Sequence, residues 1–237
     1  MGLVYQYLYF AGKSSEDFEC HISGSGTFLS PSRDVQSVSV PGRNGDLHLD
    51  GGRFFNVEIT YPAFITKDFR ANFDALKAFL LAQRGYKRLE DSYHPEYFRR
   101  AMFKGAIEPQ MTTLNRAGSF ELKFDCDPRR FLKDGEQAIE VDDDITLINR
   151  TEYEAKPLVR AYGTGMFTIG GTTVQIVRAD GYTDIDCDLQ EAFKGTVNCN
   201  NNIVLTDGKF PELAVGNNEI SFTGLTKLEI TPRWWSV

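Results

Sequence analysis

Between Val40 and Ile65 the chain reads VPGRNGDLHLDGGRFFNVEITYPAFI, and no other stretch limits the fold as strongly. Asn44-Gly45 is the dipeptide that a primed hairpin turn favours, because such turns need positive φ at their central residues. Gly51-Gly52 carries the same signal. Between them Leu47 and Leu49 alternate with Asp46, His48 and Asp50, which makes one apolar and one polar strand face. Phe55, Val57, Ile59 and Tyr61 continue the alternation. The pattern predicts a meander of three strands and two tight turns, with Arg43, Asn44, Asp46, Asp50 and Arg53 at its charged tip. A long hairpin has too little surface to bury itself, so it needs a sheet, a helix or another subunit to lie against.

The rest of the chain supplies such partners. One amphipathic helix is predicted from Asp68 to Gln83, where Phe69, Phe73, Leu76 and Leu80 share a face; Thr66 or Asp68 would cap its start and Gly85 would end it. Strands are predicted at 3–10, Phe18–Ile22, Val35–Val40, Tyr86–Glu90, Phe98–Phe103, Ile107–Leu114 and Ser119–Cys126, the last closed by Asp127-Pro128. The acidic run Asp134–Asp144 is unsuited to a central strand and marks a domain boundary, giving domains at 1–133 and 134–237. Beyond it short alternating segments recur between Gly and Asn turns, among them Leu158–Tyr162, Thr183–Leu189, Ile203–Leu205 and Lys227–Ile230. The fold class expected is mainly β with one N-terminal helix, an α+β domain followed by a β-sandwich.

Charge divides along the same boundary. Residues 1–133 are near neutral at +2, whereas residues 134–237 stand at −9, which argues against a nucleic-acid groove in the second domain. Cys20, Cys126, Cys187 and Cys199 form no CxxC pair, so buried free thiols are expected rather than a zinc ribbon; Cys187 and Cys199 are placed where a hairpin would let them face each other. The first residues lack the basic segment of a signal peptide, and no apolar run is long enough to span a bilayer.

Few residues suggest chemistry. Asp184, Asp186 and Asp188 recur at period two, so a strand would aim all three to one side. They would suit a calcium site or paired catalytic acids, but Leu189 and Gly195 stand where an EF-hand needs Gly and Glu, and a solvated strand face is the preferred reading. His21, His48 and His94 share no metal-ligand spacing and are expected in turns or on the surface. No catalytic residue, metal site or cofactor is expected. Trp234-Trp235 suggests either a sugar or partner contact or a terminal strand with one indole inside and one outside.

With these residues in view the chain resembles the distal tail proteins of long-tailed phages of Gram-positive bacteria. PGRNGDLHLDGGRFFNVEITYPAFI resembles that family's N-terminal hairpin region, RLEDSYHPEYFRRAMFKGAIEP its next strand and turn, and KPLVRAYGTG with FPELAVGNNEISFTGLTKLEITPRWWSV its C-terminal domain. The resemblance implies a non-enzymatic structural hub of the tail tip or baseplate. Its N-terminal domains would form a homo-hexameric ring with a channel for DNA, and a galectin-like or jelly-roll sandwich would project outward. The implied partners are the tail tube protein, a tail-associated lysin or fibre hub protein and receptor-binding proteins, with assembly in the bacterial cytoplasm and no membrane role. From the residues, the hairpin is expected to pack on a neighbouring copy. A carbohydrate-binding sandwich is the alternative function, and a glycosidase using Asp184, Asp186 or Asp188 the third.

Overall fold

A computed structural model describes residues 6–112 and 116–237, which fall into two compact units: Met1–Arg130 with Val237, and Phe131–Ser236. The expected strand at 3–10 appears as Leu8–Phe10; its residues 3–5, with Tyr5 among them, and Thr113 and Leu114 of the strand expected at Ile107–Leu114 lie outside the described residues.

The first unit is built on one antiparallel sheet with the strand order Lys13–Ser14, Leu8–Phe10, Lys87–Asp91, Tyr97–Phe103, Ala117–Leu132, Val57–Ile65, Cys20–Ile22. Period-two alternation decides its faces. Val57, Ile59, Tyr61, Ala63 and Ile65 point into the core and meet Phe120, Leu122, Phe124 and Cys126 on the neighbouring strand. The helix Phe69–Ala82 covers this face with the predicted stripe of Phe69, Phe73, Leu76 and Leu80, all buried. Phe69 and Phe73 stack at 5.1 Å, and Phe73 meets Phe120 edge-on at 5.1 Å. The helix begins without the expected cap: Asp68 occupies the capping position in the left-handed region, at φ 45°, and makes no side-chain capping bond. Gly118 is what lets the helix approach, since a Cβ there would lie 2.5 Å from the Phe69 ring.

Three local expectations are corrected. The strand expected to stop before Asp127-Pro128 runs on as Ala117–Leu132. Its pairing with Val57–Ile65 ends at Cys126, so the absent proline N–H removes no bond from that ladder, and Asp127 accepts hydrogen bonds from the Arg129 amide and guanidinium instead. Of the stretch Ile107–Leu114, the described residues contribute only the short strand Gln110–Thr112. Phe18 closes a 3-10 turn, Ser15–Phe18, and the strand begins at Cys20.

The second unit is a sandwich of two antiparallel sheets. One has the order Ile139–Val141, Lys227–Thr231, Leu158–Tyr162, Tyr182–Asp186, Glu191–Lys194, Val197–Asn198; the other runs Ile145–Asn149, Gly216–Thr223, Gly165–Ile169, Thr172–Ile176, Ile203–Leu205. Val159, Ala161, Ile185, Leu228 and Ile230 of the first sheet share a core with Phe167, Ile169, Val174, Ile176 and Ile220 of the second. The acidic run from Asp134 supplies only a 3-10 turn, Asp134–Glu136, and the edge strand Ile139–Val141. All four cysteines are free thiols, Cys187 and Cys199 included.

Candidate functional site

The meander predicted for Val40–Ile65 is instead a single long arm followed by a core strand. Arg33–Val38 pairs with Leu47–Phe54 as a separate two-stranded sheet, with Val38 opposite Leu47 and Gln36 opposite Leu49. Residues 39–46 close it as a loop in which Gly42 and Gly45 both adopt φ of +80°, so Asn44-Gly45 sits within a wider connection than a two-residue turn. Gly51-Gly52 is no turn at all. It lies inside the second strand where the register shifts between Arg33 and Val35, and Gly52 takes φ +71°. Gly51 sits close beside it, where a Cβ would lie 3.0 Å from the Asp34 side chain and 3.1 Å from its carbonyl oxygen, a tight fit.

Ion pairs brace the base of this arm. Arg53 Nε donates to Asp34 Oδ2 at 2.8 Å and lies over the Phe55 ring, while Arg33 pairs with Asp50 at 3.6 Å and lies over Phe54. Farther out, Ser37 and His48 are hydrogen-bonded at 3.0 Å. Of the residues expected at a charged tip, then, only Arg43, Asn44 and Asp46 are at the loop; Asp50 lies midway along the strand Leu47–Phe54 and Arg53 near its root. These exposed pairs each add at most about 1 kcal/mol, so they shape the arm more than they stabilise it.

What distinguishes the arm is its uncovered apolar face. Val38, Leu47 and Leu49 lie on one side of the ribbon at 42%, 40% and 51% exposure, continued by Val40 at 38%. Both outer edges of the ribbon also lack a strand partner among the described residues. An isolated two-stranded ribbon with an open apolar face and open edges has the properties of a docking element, because each property is a cost in water that a partner removes.

The other sequence candidates resolve differently. Asp184 and Asp186 are not on a solvated face, the reading preferred from the sequence: both carboxylates are buried and each is gripped by arginine. Arg160 donates to Asp184 from Nε at 2.7 Å and from Nη2 at 3.0 Å; Arg233 donates to Asp186 from both Nη atoms at 2.7 Å. The amides of Asp188 and Leu189 complete the Asp186 site at 3.1 Å. Burial pushes the Asp186 carboxyl up, but these donors outweigh it and hold the carboxyl below its ordinary range. The strand ends at Asp186, so Asp188 does not share its geometry. Among the described residues no group of three or more His, Cys, Asp or Glu side chains is placed to hold a metal ion.

Trp234 lies inside, while Trp235 is half-buried against the edge of the same core instead of standing on the surface. Trp234 is buried in the sandwich core beneath Gly135, whereas Trp235 stacks on Tyr153 at 4.3 Å and donates from Nε1 to the Glu154 carbonyl at 2.8 Å. His21 lies on a strand beside Phe64 at 5.5 Å, and His94 pairs with Asp91 at 3.1 Å in a turn. The strand expected at Val35–Val40 is present as Arg33–Val38; what the sequence did not reveal is its pairing with Leu47–Phe54 and the apolar side that Val38 shares with Leu47 and Leu49.

No family model and no curated protein matches the sequence. Solved structures do match it. The crystal structure of the SPP1 Dit protein, described as a paradigm of the hub adsorption apparatus in phages infecting Gram-positive bacteria, is similar over 99% of this chain and 100% of its own, with a TM-score of 0.78 at 13% identity. The phage P2 baseplate in its activated conformation is similar in a calcium form, over 96% of this chain and 97% of the matched chain, with a TM-score of 0.55 at 11% identity. A strontium form of the same baseplate has a TM-score of 0.54 at 10% identity. The likeness to the distal tail proteins expected from the sequence is therefore present as a shared fold along the whole chain.

Proposed function

We propose that this chain is the structural hub of a phage tail tip, acting by assembly rather than by catalysis. One observation carries the reading: a hub protein of a phage adsorption apparatus matches the whole chain end to end, both units included, at a TM-score of 0.78. Six copies of residues 1–133 form a ring around a channel for DNA, one face of the ring meeting the tail tube and the other the fibre or lysin hub. Residues 134–237 form a galectin-like sandwich that projects outward and carries adsorption proteins, and the assembled particle places the chain in the virion.

The arm fits this reading on physical grounds. A ring needs one heterologous contact repeated around an axis, and an exposed ribbon that finds no cover in its own chain is a natural half of such a contact. Covering Val38, Val40, Leu47 and Leu49, already half shielded, would contribute on the order of 1 kcal/mol each. Pairing of an open arm edge would add more. The test is light scattering of the purified full chain across a concentration series, beside a variant in which residues 36–49 are replaced by a short Gly-Ser turn. The wild type should reach a discrete hexamer and the shortened variant should remain monomeric; equal oligomer sizes would refute the role of the arm.

A further inference from the structure

The arm needs a seat, and the first unit offers one at its opposite end. The strand Val57–Ile65 starts three residues after the arm finishes at Phe54, so the arm is rooted at the Val57 end. At the other end of this strand a groove of about 790 Å³ opens on the outer, non-helix face of the sheet. Pro62 and Phe64 form its floor with Glu121 and Ser119, their cross-strand neighbours, while Glu108 and Pro109 form a wall. Val57 and Phe64 are separated by about 23 Å of extended chain, and the Leu47–Phe54 strand of the arm is about 26 Å long. Projection and recess thus sit at opposite ends of one strand, the arrangement a head-to-tail contact requires.

Chemistry matches as well as placement. The groove joins apolar ring surfaces, Pro62, Phe64 and Pro109, to three exposed charges: Glu121 and Lys123, which pair with each other at 3.3 Å at the surface where an arm charge could exchange into the pair, and Glu108, which among the described residues is in no ion pair. The arm offers an apolar face of valine and leucine with charges of both signs at its loop. Its other charges are already matched within the arm, Arg53 to Asp34 and Arg33 to Asp50, whereas among the described residues Arg43 and Asp46 are in no ion pair. Beside the groove the short strand Gln110–Thr112 is wholly exposed, with Met111 at 46%, and among the described residues it pairs only with Ala117–Ser119. It offers a free edge to which an arm strand can add.

We infer that the arm of one copy seats in the Pro62–Phe64 groove of the next, Val38, Val40, Leu47 and Leu49 against Pro62, Phe64 and Pro109, with Arg43 toward Glu108 and Glu121 and Asp46 toward Lys123. The inference rests on the ring reading and goes beyond it by naming the receiving surface. Two measurements on the full chain decide it. In a Cys199→Ser background, Leu47→Cys combined with Ser119→Cys should give a ladder of disulfide-linked oligomers on mild oxidation, while either cysteine alone stops at a dimer. Independently, Glu108→Lys with Glu121→Lys should raise the concentration at the midpoint of ring assembly about tenfold or more, and adding Arg43→Glu should recover most of that loss. Circular dichroism melting of each variant shows that it folds. If rings form but the double-cysteine variant gives no ladder and the charge reversals leave the midpoint unchanged, the groove is not the seat and the hub reading stands without it. If the wild type stays monomeric at every concentration, both are overturned.

Discussion

Replacing Asp186 by Asn should destabilise the second unit strongly. The carboxylate accepts two hydrogen bonds from Arg233 at 2.7 Å and two backbone bonds at 3.1 Å, and its side chain is 6% exposed. An amide in its place removes the counter-charge and turns one acceptor into a donor facing another donor. Arg233, mostly buried, then keeps at most one neutral acceptor at position 186 and loses its counter-charge, a loss of about 3 kcal/mol. Strain adds to the effect, because Arg233 holds a left-handed φ of 61°, fixed by this pair and by its amide bonding the Gly135 carbonyl at 2.8 Å. For a unit of this size the loss lowers the melting midpoint by about 15 °C. Circular dichroism or calorimetric melting at pH 7 measures it. The same pair sets the acid limb. The folded carboxyl has a depressed pKa, so its contribution is complete above the unfolded value of about 3.9 and is lost as pH falls through the folded one. The gap between wild type and Asp186→Asn should therefore be full at neutral pH and narrow below about pH 4. A loss under about 0.5 kcal/mol, or a gap that is flat with pH, would refute the assignment of a buried structural ion pair.

Three further outcomes follow from packing and burial. Gly118→Ala should cost about 1 to 3 kcal/mol in urea unfolding, since its Cβ would meet the Phe69 ring at 2.5 Å and that ring is held by Phe73 and Phe120; a neutral effect would mean the helix is not seated as described. Burial pushes the Cys20, Cys126 and Cys187 thiols up to about 12, so a thiol reagent at pH 8 should label only Cys199 in the native chain, and labelling of all four would contradict the core. Trp234→Ala should destabilise by about 3 to 5 kcal/mol as a core truncation, and Trp235→Ala by less. Glycan binding that vanished with Trp235→Ala at unchanged stability would favour a carbohydrate-binding role for the sandwich.

What the sequence made legible was local and periodic. The Phe69, Phe73, Leu76, Leu80 stripe defined the helix, and alternation located strands such as Ile203–Leu205 and Leu158–Tyr162, because a core-facing period reads directly as burial. Pairing was not legible. Gly51-Gly52 has the composition of a turn, yet it is a bulge because its strand pairs backward with Arg33–Val38, and register depends on residues far from the dipeptide. Asp184 and Asp186 looked solvated for a similar reason: their arginines come from positions 160 and 233, on other strands or beyond them, and no short-range pattern announces such partners. The groove is the extreme case, assembled from residues near 62, 109 and 121 that share no motif.

The ring proposed for this chain is tested most directly by negative-stain electron microscopy of the purified protein. Class averages should show six-fold rings with a stain-filled central hole, and the arm-shortened variant should show none. Dispersed single subunits, or closed particles without a hole at concentrations where light scattering reports a hexamer, would contradict it.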